Sequence, residues 1–210
     1  MQRALDSTET DPTAWAYTRT TVEKDGRKVE TFDPSKTEGQ EWQLVSKDGR
    51  TPSQSERAEY RKEKSKGKRK SARGPKGELA AMIRPGTLKL VRESASQAVY
   101  EFRLAVDDED KDDEVAREMI GLMKGRLTVA KDGAWLQIFE LENEKPMKPM
   151  TGVRIDQMQT KMTYRAPSAG LPPLISEMRV TLRGRAMLVK KLDQDTVATY
   201  SDYRRVTAAK

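Results

Sequence analysis

The sequence predicts a mainly β fold: a strongly curved antiparallel sheet with two or three helices on its concave side. Three observations predict it. Lys-Asp-Gly occurs three times, as Lys24-Asp25-Gly26, Lys47-Asp48-Gly49 and Lys131-Asp132-Gly133, each beside stretches that read as strand. Asp-Gly suits a tight hairpin, because both residues tolerate the positive φ of a type I′ turn. Many stretches alternate apolar and polar residues with the period of two that marks a half-buried strand. Two short stretches, 78–83 and Glu114 to Lys124, carry a helical stripe of apolar residues instead.

Trp15 to Val22 and Lys28 to Phe32 flank the first Lys-Asp-Gly, and Glu41 to Val45 precedes the second. Ser53 and Glu56, after Pro52, have the spacing of a capping box. A helix is expected over 53–65. A basic loop should follow over 66–76, where Gly67, Gly74 and Pro75 break regularity. Leu79, Met82 and Ile83 then supply a short helical turn, and Leu88 and Leu90 alternate with charge. Tyr100, Phe102, Leu104 and Val106 share one face of a strand, with Glu101 and Arg103 on the other.

An acidic run from Asp107 to Glu114 leads into the second helix, which aligns Val115, Met119, Ile120 and Met123. The run imitates a calcium loop poorly, since Lys111 takes a ligand position and Asp112 replaces the required glycine. Carboxylates ahead of a helix suit the positive end of its dipole. Leu127 and Val129 precede the third Lys-Asp-Gly. Residues 134–141 are apolar on both faces, with Leu136 and Ile138 on one and Trp135, Phe139 and Leu141 on the other, so this strand is expected to be covered on both sides.

Pro-rich loops at 145–150 and 166–173 are expected to rim an open end. From 178 to 188, Met178, Val180, Leu182, Gly184, Ala186 and Leu188 face one way, and Arg179, Thr181, Arg183 and Arg185 the other. A slip of one residue would bury the arginines, so this register is strongly set. Gly184 within the strand marks a bend or a close approach. Asp193-Gln194-Asp195 is expected to turn into a last strand at about 196–206.

The 210 residues suit one domain over 13–206, with a basic insertion at 53–76 and tails at 1–12 and 207–210. There is no Cys, which removes disulfides, thiolate zinc sites and thiol nucleophiles. There is no His, which removes Ser-His-Asp and Cys-His pairs and the usual zinc and iron sites. Acid–base chemistry would fall to shifted carboxylates or lysines, and none stands in a recognisable constellation. A non-catalytic protein without cofactor or metal is therefore expected. No run approaches the ~18 apolar residues of a membrane span. Met1-Gln2-Arg3-Ala4-Leu5-Asp6 lacks the pattern of a secretion signal, so the expected home is cytoplasmic if Met1 is native and periplasmic if it replaces a removed signal.

The formal charge of +7 is concentrated. Arg61, Lys62, Lys64, Lys66, Lys68, Arg69, Lys70, Arg73 and Lys76 stand in one segment with Glu63 alone opposing them, which leaves a near-neutral remainder. Such a segment can meet anionic lipid headgroups, an acidic protein or nucleic-acid phosphates, or serve only as a solvated loop. No aromatic lies between Arg61 and Lys76 to stack on bases, which argues against nucleic acid. Met82, Met119, Met123, Met147, Met150, Met158 and Met162 suit a pocket that re-packs around apolar guests, and equally an ordinary core.

The order of elements is long N-terminal hairpins, interrupting helices, a strand-helix-strand unit, and a meander ending in Thr199-Tyr200-Ser201-Asp202-Tyr203-Arg204. Over most of 13–206 it resembles the periplasmic lipoprotein-carrier superfamily, the LolA- and LolB-like proteins. The resemblance implies an incomplete β-barrel closed by a helical lid over an apolar cavity. It also implies a carrier for a lipid, a lipoprotein acyl chain or a similar amphiphile. No residue here matches the carriers' functional arginine, and no Cys is present to lipidate. The lining candidates are Tyr100, Phe102, Leu104, Leu136, Ile138, Val180 and Leu182, and the lid candidates are Met119, Ile120 and Met123. The basic segment would bring the carrier to an acidic membrane or partner. Two other readings stand beside this one: a nucleic-acid-binding protein using 61–76, and an interaction scaffold with a filled core.

Overall fold

The computed structural model describes residues 3–5, 14–37, 39–71, 78–106, 113–168, 170–187 and 190–206, with backbone alone at 66–71 and 78. The alternating stretches form eleven strands of one antiparallel sheet. The first three are β1 (Trp15–Glu23), β2 (Gly26–Phe32) and β3 (Trp42–Lys47), followed by β4 (Lys89–Glu93), β5 (Gln97–Arg103), β6 (Met123–Ala130) and β7 (Trp135–Asn143). The remainder are β8 (Met147–Met150), β9 (Val153–Arg165), β10 (Leu174–Ala186) and β11 (Lys190–Arg205). The order across the sheet is β3-β2-β1-β11-β10-β9-β7-β6-β5-β4, with β8 paired to β9. β3 and β4 end this order, so the sheet is open. The helices are α1 (Gln54–Ser71), α2 (Glu78–Ala81) and α3 (Glu114–Gly121).

All three Lys-Asp-Gly copies turn the chain, each differently. Lys24-Asp25 closes β1 onto β2, and the residue at positive φ is Gly26. Asp48 and Gly49 both have positive φ (52° and 78°), as a type I′ turn requires, but the pairing stops at Lys47 and Arg50. Between β6 and β7 the loop spans four residues, with Gly133 and Ala134 left-handed.

The apolar core lies at the β5-β6-β7-β9 end. Phe102, Leu127, Val129, Leu136, Phe139 and Tyr164 are buried together, with Leu79, Met82 and Ile83 packed on them. Arg3–Leu5 is helical and buries Ala4 and Leu5 in the same cluster. Gly125 sits opposite Phe102 in the register, and a Cβ there would overlap the ring. Gly184 is a close approach, as its place in the strand suggests: a Cβ would overlap the Arg154 carbonyl oxygen on β9.

Several expectations are corrected. Asp193-Gln194-Asp195 does not turn; it lies within β11, paired with Arg183, Leu182 and Thr181. The helix expected to stop at 65 continues to Ser71. Lys-rich sequence has good helix propensity, and one glycine costs only about 1 kcal/mol. Met123 is not helical; α3 ends at Gly121 and Met123 opens β6. Leu136 and Ile138 do not share a face, because Gln137 is an extra residue opposite Thr128/Val129. The bulge turns Leu136 to the side of Phe139. Part of the 145–150 loop is the short strand β8. Of the shorter helices, α2 is four residues long, and α3 buries no side chain fully. The acidic run 107–112 and the C-terminal tail 207–210 lie outside the described residues.

Candidate functional site

Polar chemistry meets accessible surface at several places among the described residues. The first lies under α1. Ser53 and Glu56 form the capping box that the spacing predicts: the Glu56 amide donates to Ser53 Oγ (3.2 Å) and the Ser53 amide to the Glu56 carboxylate (2.9 Å). Arg50 forks onto that carboxylate at 2.8 and 2.6 Å. Seven residues after Ser53, the Tyr60 hydroxyl donates 2.7 Å to Glu30, which is 3% exposed on β2. Arg19 and Lys64 pair with the same carboxylate at 2.8 and 3.1 Å. Both cations also stand over the Trp42 ring, at 4.3 and 4.5 Å from its centre.

Burial alone would push the Glu30 carboxyl upward, but Arg19, Lys64 and the Tyr60 hydroxyl together hold it below the usual range. Around it, Tyr17 touches Phe32, Trp42, Tyr200 and Tyr203. Tyr200 and Tyr203 both reach Tyr17 because Asp202, at φ 55°, is bulged opposite it. Burial pushes the Tyr17 and Tyr203 hydroxyls well above the ordinary phenol value and Tyr164 to about 12, so all three stay neutral near pH 7.

The second place is a cleft of about 870 Å³ between α3, the β8–β9 hairpin and the end of β10. Its apolar wall is Val115, Pro149, Met150 and Val153, and among the described residues its polar wall holds Lys148, Arg154 and Arg185 without a carboxylate. Arg154 is paired with Asp156 at 2.6 Å. Lys148 and Arg185 have no ion-pair partner among the described residues. Beside the cleft, Met187 donates its amide to the Gly152 carbonyl. Met150 and Met187 are 66% and 80% exposed.

The structure brings four of the ten lining and lid candidates together: Tyr100, Phe102, Leu104 and Leu136 belong to the apolar core. Val180 and Leu182 are half-buried on β10, Ile138 is half-buried on β7, and Met123 is buried at the start of β6. Met119 and Ile120 are half-buried on α3, beside β8. Of the basic candidates, Arg61 and Lys62 are exposed, whereas Lys64 is engaged with Glu30 and is not a free surface cation. Arg73 and Lys76 lie outside the described residues, as do the side chains of Lys66, Lys68, Arg69 and Lys70. Sequence reasoning missed Glu30, although it shares the strand parity of Phe32, and it missed the cations Lys148 and Arg185. Comparison with known protein families, curated proteins and solved structures finds no match to this chain.

Proposed function

We propose that the protein is a non-catalytic binding protein for an anionic amphiphile, a lipid or acyl-bearing molecule with an acidic head. In this reading the open sheet is a curved, incomplete barrel of the lipoprotein-carrier kind, and α3 serves as its lid. The observation that carries the reading is the cleft beside α3, whose walls are apolar on one side and cationic on the other. Its volume of about 870 Å³ falls in the range of small-molecule sites. An acyl chain would lie along Val115, Pro149, Met150 and Val153, and its acidic head would meet Lys148 and Arg185. The exposed Met150 and Met187 side chains are apolar surface that a guest would cover, and thioethers adapt to varied chains. The cleft is a better place for a guest than the sheet interior, because Leu127 and Leu136 have no exposed surface and a guest there would have to displace them.

The test is uptake of a fluorescent fatty acid by the purified protein, with mass spectrometry of its organic extract. Lys148→Glu/Arg185→Glu alters two exposed side chains and should leave the fold intact. It should weaken uptake at least tenfold, and Met150→Asp should weaken it further. An empty extract together with no uptake by the parent would end this reading.

A further inference from the structure

β3 is an edge of the sheet, with β2 on one side and, among the described residues, no strand on the other. A groove of about 440 Å³ runs beside it. Trp42, Gln43 and Leu44 form its strand wall. Successive strand residues point to opposite faces, so three consecutive residues in one groove mean that it follows the strand edge, where backbone donors and acceptors lie. The opposite wall is α1, which contributes Gln54, Arg57, Tyr60 and Arg61. These positions have the i, i+3, i+7 spacing of one helix face. Arg57 and Arg61 are exposed; among the described residues they have no ion-pair partner, and no carboxylate lines the groove. The helix wall is anchored by Tyr60 and Lys64 on the buried Glu30, so the groove exists before any partner arrives.

An edge strand facing a helix across a groove is the arrangement in which an extended peptide adds as a further strand. Backbone bonds supply affinity there, and alternate side chains supply selectivity. We propose that β3 and α1 form a docking groove for an extended acidic peptide of a partner protein, whose carboxylates meet Arg57 and Arg61. The bulge at Val45 restricts regular pairing to Trp42–Leu44, so the added strand is short. The proposal stands apart from the cleft beside α3 and shares none of its residues.

The probe is a fluorescein-labelled hexapeptide of alternating glutamate and valine, followed by polarisation at 150 mM salt on the whole chain. Saturable binding is expected. Arg57→Glu/Arg61→Glu should weaken it at least tenfold while leaving the far-UV circular dichroism unchanged. Methylating alternate peptide nitrogens, which removes backbone donors but no charge, should abolish it. No binding by the parent overturns the proposal, and so does equal binding of the methylated peptide, which would mean charge attraction alone. Tighter binding of an oligothymidylate, or a dimer joined through two β3 edges in sedimentation, also overturns it.

Discussion

Around Phe102 and Phe139 the sheet is packed by apolar contact, whereas around Glu30 its cover is held by one buried carboxylate that Arg19, Tyr60 and Lys64 share. At the first end, cover comes from short apolar pieces: Ala4, Leu5, Leu79, Met82 and Ile83. At the second, it comes from a long helix in which Tyr60 is the buried one of the described side chains. A helix that is polar nearly all round cannot be held by the hydrophobic effect. Its position depends on ionic and hydrogen-bonded contacts, so pH and salt should loosen α1 while barely touching the apolar end.

The largest expected effect tests the apolar end. Phe139 is 1% exposed and faces Phe102 with ring centres 6.0 Å apart. Phe139→Ala should cost about 3–5 kcal/mol in urea unfolding, from lost burial plus the cavity left behind. The loss should be the same at low and high salt. A cost below about 1 kcal/mol would mean that this end is not where the stability resides.

Glu30→Gln tests the other end and should cost about 3 kcal/mol, because Arg19 and Lys64 keep their charge without the carboxylate. The pH dependence has a definite sign. The Glu30 pKa is lowered in the folded protein from its ordinary 4.5, so its contribution is full above about that pH. It is lost as pH falls through the lower folded value. Below pH 4.5 the parent should therefore weaken and the Glu30→Gln variant should weaken less, while Phe139→Ala keeps the parent's slope. Equal slopes in parent and Glu30→Gln would show that the carboxylate does not carry the acid sensitivity.

How much of this difference the residues disclose depends on bulges. The alternation from Met178 to Ala186 reads directly as β10, because pairing is regular over most of its length. Alternation fails at Gln137, where one extra residue moves Leu136 to the Phe139 side, and at Asp202, where Tyr200 and Tyr203 come to share a neighbour. A bulge is set by partner strands distant in sequence, so local periodicity cannot place it. Ser53 and Glu56 were legible as a cap because both partners lie within one turn. Glu30 was not, since its partners come from 11 and 30 residues away and from Lys64 beyond them. The cleft and the edge groove were hidden for the same reason: each is assembled from separate elements.

Tyr60→Phe divides the ionic end further. It keeps the ring and removes one hydrogen bond to a charged carboxylate, a loss of about 1.5 kcal/mol. Lys64 and Arg19 remain to neutralise Glu30, so the cost should be about half that of Glu30→Gln. A double-mutant cycle of Tyr60→Phe with Glu30→Gln should show coupling near the whole single-variant value; additivity would mean that the hydroxyl acts elsewhere.

The smallest effect concerns the start of α1. Ser53 lies at the exposed end of the helix, and Ser53→Ala removes the oxygen that accepts from the Glu56 amide. Loss of such a cap costs about 1 kcal/mol. The Glu56 carboxylate keeps its bond from the Ser53 amide and its fork from Arg50, so the first turn should loosen without leaving the sheet. Hydrogen exchange should then quicken at amides near the start of α1 and stay unchanged in β5, β6 and β7. If exchange in those core strands rose as well, α1 would be part of one cooperative unit with the apolar end, and the contrast between the two ends would describe contacts rather than separable stability.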